Sequence, residues 1–106
     1  MEVEYQKDNK VLILKVTEEL DHHIVEKLRK KADYEIERYL PRKVIFNFSN
    51  VTFMDSAGIG LILGRYKNIS ILGGDLEITN VKNSIEKILI MSGVSKLIKI
   101  NKEECA

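Results

Sequence analysis

Hydrophobic and polar positions divide this chain into short alternating blocks. Val3 to Lys7 and Val11 to Thr17 are β-rich runs flanking Asp8-Asn9-Lys10, a turn-forming triplet, so the chain is predicted to open with a hairpin. Val11-Leu12-Ile13-Leu14 is nearly continuous apolar sequence, the pattern of a strand covered on both faces. Asp21 then stands as the N-cap of a helix running to about Leu40. Val25, Leu28, Ala32, Ile36 and Tyr39 recur at steps of 3, 4, 4 and 3, which forms one helical stripe. Pro41 ends it, because proline disfavours helical geometry in the residue before it.

Val44 to Phe48 reads as the strongest strand. After the turn-prone Ser49-Asn50 the pattern changes to helical spacing from about Ala57 to Ile69, closed by Gly73-Gly74-Asp75. Leu76 to Thr79 is a strand, Asn83 to about Ser92 a third helix, and Lys96 to Ile100 a last short strand. The order β-β-α-β-α-β-α-β predicts an α/β fold, with parallel βαβ units after an antiparallel opening hairpin.

The length of 106 residues fits one domain spanning 1–106, large enough to bury a real core. With 17 basic against 16 acidic side chains, the net charge of +1 argues against a nucleic-acid binder. No apolar run approaches the roughly 18 residues of a membrane span, and Met1 to Lys10 carries no secretory h-region. The single cysteine, Cys105, cannot form an internal disulfide, so a cytoplasmic location is expected.

The window Phe53 to Lys67 holds the candidate chemistry. Wound as a helix, it gathers Ile59, Ile62, Leu63, Tyr66 and Ile69 on the side expected to be buried. Ala57, Gly60, Leu61, Gly64, Arg65 and Asn68 fall on the other side, which is therefore expected to face solvent. Two interior glycines there each cost about 1 kcal/mol relative to alanine, so the face reads as a smooth surface for another backbone. An alternative is that Gly60 and Gly64 lie against a loop of the same chain. Asp55-Ser56 precedes this face, where a strand-end loop becomes a helix. Orphan N–H groups and the positive dipole end there tolerate added negative charge. A phosphoserine at position 56 would leave the fold intact yet put about −1.5 to −2 charges into an apolar docking face. The plainer reading of Ser56 is a simple helix N-cap.

Enzyme readings fit poorly. Gly58, Gly60 and Gly64 space as G-x-G-x-x-x-G, one residue off the dinucleotide fingerprint, and no Gly-Lys-Ser/Thr follows. A nucleophile elbow at Ser56 would need glycine where Met54 stands, and both histidines, His22 and His23, precede the serine, against hydrolase chain order. The pair His22-His23 is expected on a first helical turn, and no metal-ligand spacing appears. No catalytic residue, metal or cofactor is assigned.

Phe53 to Lys67 resembles the signature of STAS domains, the anti-sigma-factor antagonist family, with Asp55-Ser56-Ala57-Gly58 matching its Asp-Ser-(Ser/Ala/Thr)-Gly motif. Glu19-Leu20-Asp21-His22-His23, Leu63-Gly64-Arg65-Tyr66-Lys67 and Met91-Ser92-Gly93 are similar to the sporulation branch of that family. The resemblance implies a small mixed sheet with helices mainly on one face, and a further C-terminal helix where only Asn101 to Ala106 follow the last predicted strand. It also implies a monomeric partner switch. The unphosphorylated antagonist binds an anti-sigma factor that is also a serine kinase and so frees a sigma factor. That kinase phosphorylates the serine matching Ser56, and a phosphatase of the PP2C type restores activity. Asp21 matches an aspartate that helps engage the kinase. The partner-binding set is thus expected to comprise Asp21, His22, Asp55, Ser56, Ala57, Gly58, Gly60, Leu61, Gly64 and Arg65. General-stress regulation, or a scaffold or nucleotide-sensing module, are the alternatives.

Overall fold

The computed structural model describes residues 1–102; Cys105 and the expected C-terminal helix fall outside the described residues. The strands are β1 (Glu2–Gln6), β2 (Val11–Lys15), β3 (Lys43–Asn47), β4 (Asp75–Val81) and β5 (Lys99–Lys102). The helices are α1 (Val25–Tyr39), α2 (Ser56–Ile71) and α3 (Asn83–Met91). All five strands form one sheet in sequential order, β1 antiparallel to β2 and the rest parallel. This is the α/β arrangement and element order predicted from the chain.

The strand registers place Leu12 and Leu14 beside Val44 and Phe46, and these beside Leu76 and Ile78. All six are buried and form the floor on which the helices lie. Leu28, Ala32 and Ile36 of α1, Ile62 and Ile69 of α2, and Ile85 and Leu89 of α3 close over it. Tyr5 stacks on Tyr39 with ring centroids 4.2 Å apart, which ties the hairpin to the end of α1. Leu40 takes the left-handed conformation as the C-cap of α1 (φ 46°), just before Pro41.

Three local expectations are corrected. Val11 and Ile13 are only half-buried, because the helices occupy one face of the sheet and leave the other open; β2 is not covered on both sides. α1 begins at Val25, not directly after Asp21. Asp21 still caps, its carboxylate accepting from the N–H groups of His23 (2.9 Å) and Ile24 (3.2 Å), but it closes a separate turn that leads into the helix. The last strand starts at Lys99, since Val94–Lys96 form a 3₁₀ turn after Gly93, whose φ of 84° suits glycine.

Candidate functional site

Two loops meet at one end of the sheet. The segment after β2 and the segment after β3 are joined by a short parallel bridge between Leu20 and Met54. The Leu20 N–H donates to the Phe53 carbonyl (3.0 Å), and the Asp55 N–H donates to the Leu20 carbonyl (3.1 Å). Leu20 and Met54 are buried, so their apolar side chains anchor the bridge while the polar residues next to each stay at the surface. The bridge brings Asp21-His22 beside Asp55-Ser56, residues more than thirty positions apart in sequence.

Asp55, not Ser56, is the N-cap of α2. One carboxylate oxygen accepts from the Ala57 N–H (2.8 Å) and the other from the His22 N–H (3.1 Å). Burial alone would raise its pKa. The N–H donors of Ala57, His22 and Gly58, with the His22 side chain 3.5 Å away, win and hold the carboxyl below its usual range. His22 and His23 lie on the turn before α1 instead of its first helical turn, with ring centroids 3.9 Å apart.

Because Asp55 takes the cap, Ser56 becomes the first residue of α2 and its side chain is exposed. The simple N-cap reading of Ser56 is set aside. A negative group on its oxygen would meet the positive end of a 16-residue helix. Beside it runs an apolar groove of about 350 Å³, lined by Met54, Asp55, Ser56, Ile59, Ile88, Met91 and Ser92. The α3 residues of this groove were not legible from spacing alone; only the Met91-Ser92-Gly93 stretch hinted at them.

The outward face of α2 is narrower than expected. Gly60 is exposed, Ala57 and Gly64 half-exposed, and a Cβ at Gly60 or Gly64 would meet nothing within 4 Å. Among the described residues no loop packs on those glycines. Leu61 and Arg65 are corrected from solvent-facing to buried, at 5% and 6% exposure. Ile59, Leu63 and Tyr66 are only half-buried. At 100° per residue the centre of the buried arc is turned by about 80° from the expected stripe. The cause is α1, which packs along the flank of α2 as well as on the sheet. Gly58 is also buried; a Cβ there would strike Met54 Cγ and come within 3.0 Å of Leu20 Cβ and 3.1 Å of the Leu20 carbonyl. Its lack of a side chain lets α2 start against the bridge.

Arg65 Nε lies 2.8 Å from Asp33 Oδ1 on α1, out of line for a hydrogen bond, and among the described residues neither Nε nor Nη1 has a hydrogen-bond acceptor. Burial lowers the pKa of this guanidinium, partly offset by Asp33. Among the described residues no cluster of His, Cys, Asp and Glu could hold a metal ion, and no helix is long and apolar enough to cross a membrane.

The arrangement has close counterparts. The chain is 36% identical over 104 residues to an anti-sigma F factor antagonist of Paenibacillus polymyxa, covering 98% of this chain and 89% of that protein. It is 28% identical over 101 residues to an anti-sigma-B factor antagonist of Staphylococcus aureus, covering 95% and 93%. Among solved structures, the unphosphorylated anti-sigma factor antagonist SpoIIAA superposes with a TM-score of 0.79 at 29% identity, over 96% of this chain and 88% of that one. The phosphorylated form of the Bacillus protein SpoIIAA matches at 0.71 and 29%, covering 96% and 91%. Residues 2–104 match the STAS domain, and the chain belongs to that family.

Proposed function

We propose that this chain, acting as one monomeric domain in the cytoplasm, is an anti-sigma factor antagonist of the sporulation sigma F type, switched by phosphorylation at Ser56. Unphosphorylated, it binds an anti-sigma factor that is also a serine kinase and so releases the sigma factor. The kinase transfers the γ-phosphoryl group of ATP to Ser56 Oγ: a P–O ester bond forms, the β–γ bridge breaks, ADP leaves, and the hydroxyl proton passes to a base of the kinase. A metal-dependent phosphatase of the PP2C type hydrolyses the ester. The chain itself is a binding protein and contributes no catalytic group.

The observation that carries this reading is the exposed Ser56 at the head of α2, between an apolar groove and the open faces of Gly60 and Gly64. The helix dipole accommodates a phosphoryl group within the fold. Asp55, held ionised next door, and the apolar groove make the same charge costly once a partner covers it. Ala57, Gly60 and Gly64 supply contact surface, and Asp21 and His22 flank it from the bridged loop. Gly58, Leu61 and Arg65 act from beneath. Likeness to anti-sigma F antagonists favours the sporulation partner, and the 28% identity to an anti-sigma-B antagonist keeps general-stress regulation as the second reading.

Incubation with the anti-sigma kinase and ATP should add one phosphoryl group, and Ser56→Ala should take up none. Ser56→Asp should stay folded and bind the kinase weakly by calorimetry, while Ser56→Ala binds constitutively. Equal affinities of the two variants would refute the charge mechanism. Supplying kinases from sporulation and general-stress systems in parallel decides between the two readings.

A further inference from the structure

A second, smaller groove of about 210 Å³ lies between α1 and α2, lined by Val25, Glu26, Arg29, Ala57, Gly60, Leu61 and Arg65. Its wall is apolar, from Val25, Ala57 and Leu61, and it opens beside the exposed Gly60, where no Cβ narrows the approach. Two guanidinium groups line it. Arg29 is well served: its Nε donates to Glu26 (3.0 Å), a second nitrogen also pairs with Glu26, and Nη1 lies 3.5 Å from Asp33. Arg65 is not. It is only 6% exposed, the Asp33 carboxylate beside it is out of line, Glu26 is taken up by Arg29, and among the described residues Nε and Nη1 have no hydrogen-bond acceptor. Asp33 is meanwhile shared among Arg65, Arg29 and the Asn68 amide. A guanidinium fork prefers two parallel bonds to one carboxylate, and a buried cation left short of acceptors is costly.

We propose that the α1–α2 groove is an anchor pocket for a carboxylate, the side chain of a glutamate or aspartate presented by the protein that docks on Gly60. The volume suits one such side chain. Glu26 does not bar it, since its charge is engaged by Arg29. The apolar wall would strip water from the incoming stem while the head completes the acceptors of Arg65. This rests on the reading in which an anti-sigma partner covers that face, and it adds what the partner must bring: an acidic residue about one helical turn from the contact with Ser56.

Two measurements test it. In the free protein, the Arg65 Nε–Hε and Gly60 amide resonances should move saturably when chloride is replaced by glutarate at constant ionic strength. Movement identical to that given by another inert salt, or none, refutes the pocket whatever the partner does. In the complex, acidic residues of the anti-sigma kinase are changed singly, Glu→Gln and Asp→Asn. One change should weaken binding at least about tenfold, and lose that effect against Arg65→Gln. Should Arg65→Gln fail to fold, Arg65→Lys serves as the second variant, since it keeps the charge but not the two-pronged fork, and the same loss is expected at reduced size. If every amide variant binds like the parent kinase, the anchor is refuted while the partner reading stands. Failure of the parent kinase to bind at all refutes that reading instead, and the anchor with it. Tighter binding of inorganic phosphate than of glutarate, with no sensitive acidic residue, would mark the groove as a free-anion site and overturn the proposal.

Discussion

Alanine substitution at three glycines of α2 should give opposite results within one helix. At Gly60 and Gly64 a Cβ meets no atom within 4 Å, so only backbone propensity changes. Each Gly→Ala substitution should stabilise the domain by about 0.8–1.0 kcal/mol. For a domain of about 100 residues that is a rise of roughly 4–5 °C in Tm. At Gly58 the same propensity gain applies, but the new Cβ strikes Met54 Cγ and sits 3.1 Å from the Leu20 carbonyl. That carbonyl accepts from Asp55 in the bridge and has little freedom to retreat. Overpacking of this kind costs about 1–3 kcal/mol, so Gly58→Ala should end about 1 kcal/mol less stable than the parent. Urea unfolding followed by far-UV circular dichroism, with slopes compared to confirm two-state behaviour, measures all three. A stabilised Gly58→Ala, or destabilised Gly60→Ala and Gly64→Ala, would refute the assignment of one glycine to packing and two to an open face. The stabilised Gly60→Ala should also bind the anti-sigma kinase more weakly, since its methyl stands where the partner is to lie. Loss of binding alongside a gain in stability is hard to obtain from a purely structural glycine.

Two further outcomes follow from the electrostatics. The Asp55 carboxyl is depressed in the folded state, so its contribution is present above the unfolded pKa of about 4 and is lost as pH falls through the lower folded value. The urea midpoint of the parent should therefore drop between pH 5 and pH 3 (roughly the range either side of a free carboxyl), and that of Asp55→Asn should drop less; equal drops would show that the cap carries no charge. Asp33→Ala should cost about 2–3 kcal/mol, below the roughly 3–5 of a fully buried pair because Asp33 is 24% exposed. In an Arg65→Met background the same change should cost much less. A full cost in both backgrounds, measured as a double-mutant cycle, would mean the two groups are not coupled.

The element order, the parallel sheet and the serine at a helix start were legible because apolar periodicity and turn chemistry are local signals. What escaped was set by tertiary contacts. Leu61 and Arg65 lie on the polar-looking side of α2, yet α1 covers them, and nothing local in the sequence says where a neighbouring helix will sit. Arg65 in particular reads as a surface residue until Asp33 of α1 is found 2.8 Å from its Nε. Gly58 looks like part of a docking face and is instead required by the Leu20–Met54 bridge. Asp55 takes the cap in place of Ser56 because its extended backbone precedes the helix and its carboxylate accepts from the Ala57 N–H, while the second oxygen serves His22, 33 positions away in sequence. The half-buried outer side of β2 follows from a sheet with one covered face, which a four-residue apolar run cannot distinguish from two.

The Leu20–Met54 bridge makes spacing itself a functional quantity. Each arm reaches it from a neighbouring parallel strand, so the offset between Asp21 and Ser56 is metered by how many residues each arm spends getting there. A single-residue insertion in either arm would rotate its next side chain to the opposite side and unmesh the pair, even with every contact residue retained. Chains that keep the serine motif but change either arm's length should thus answer to different regulators, or to none.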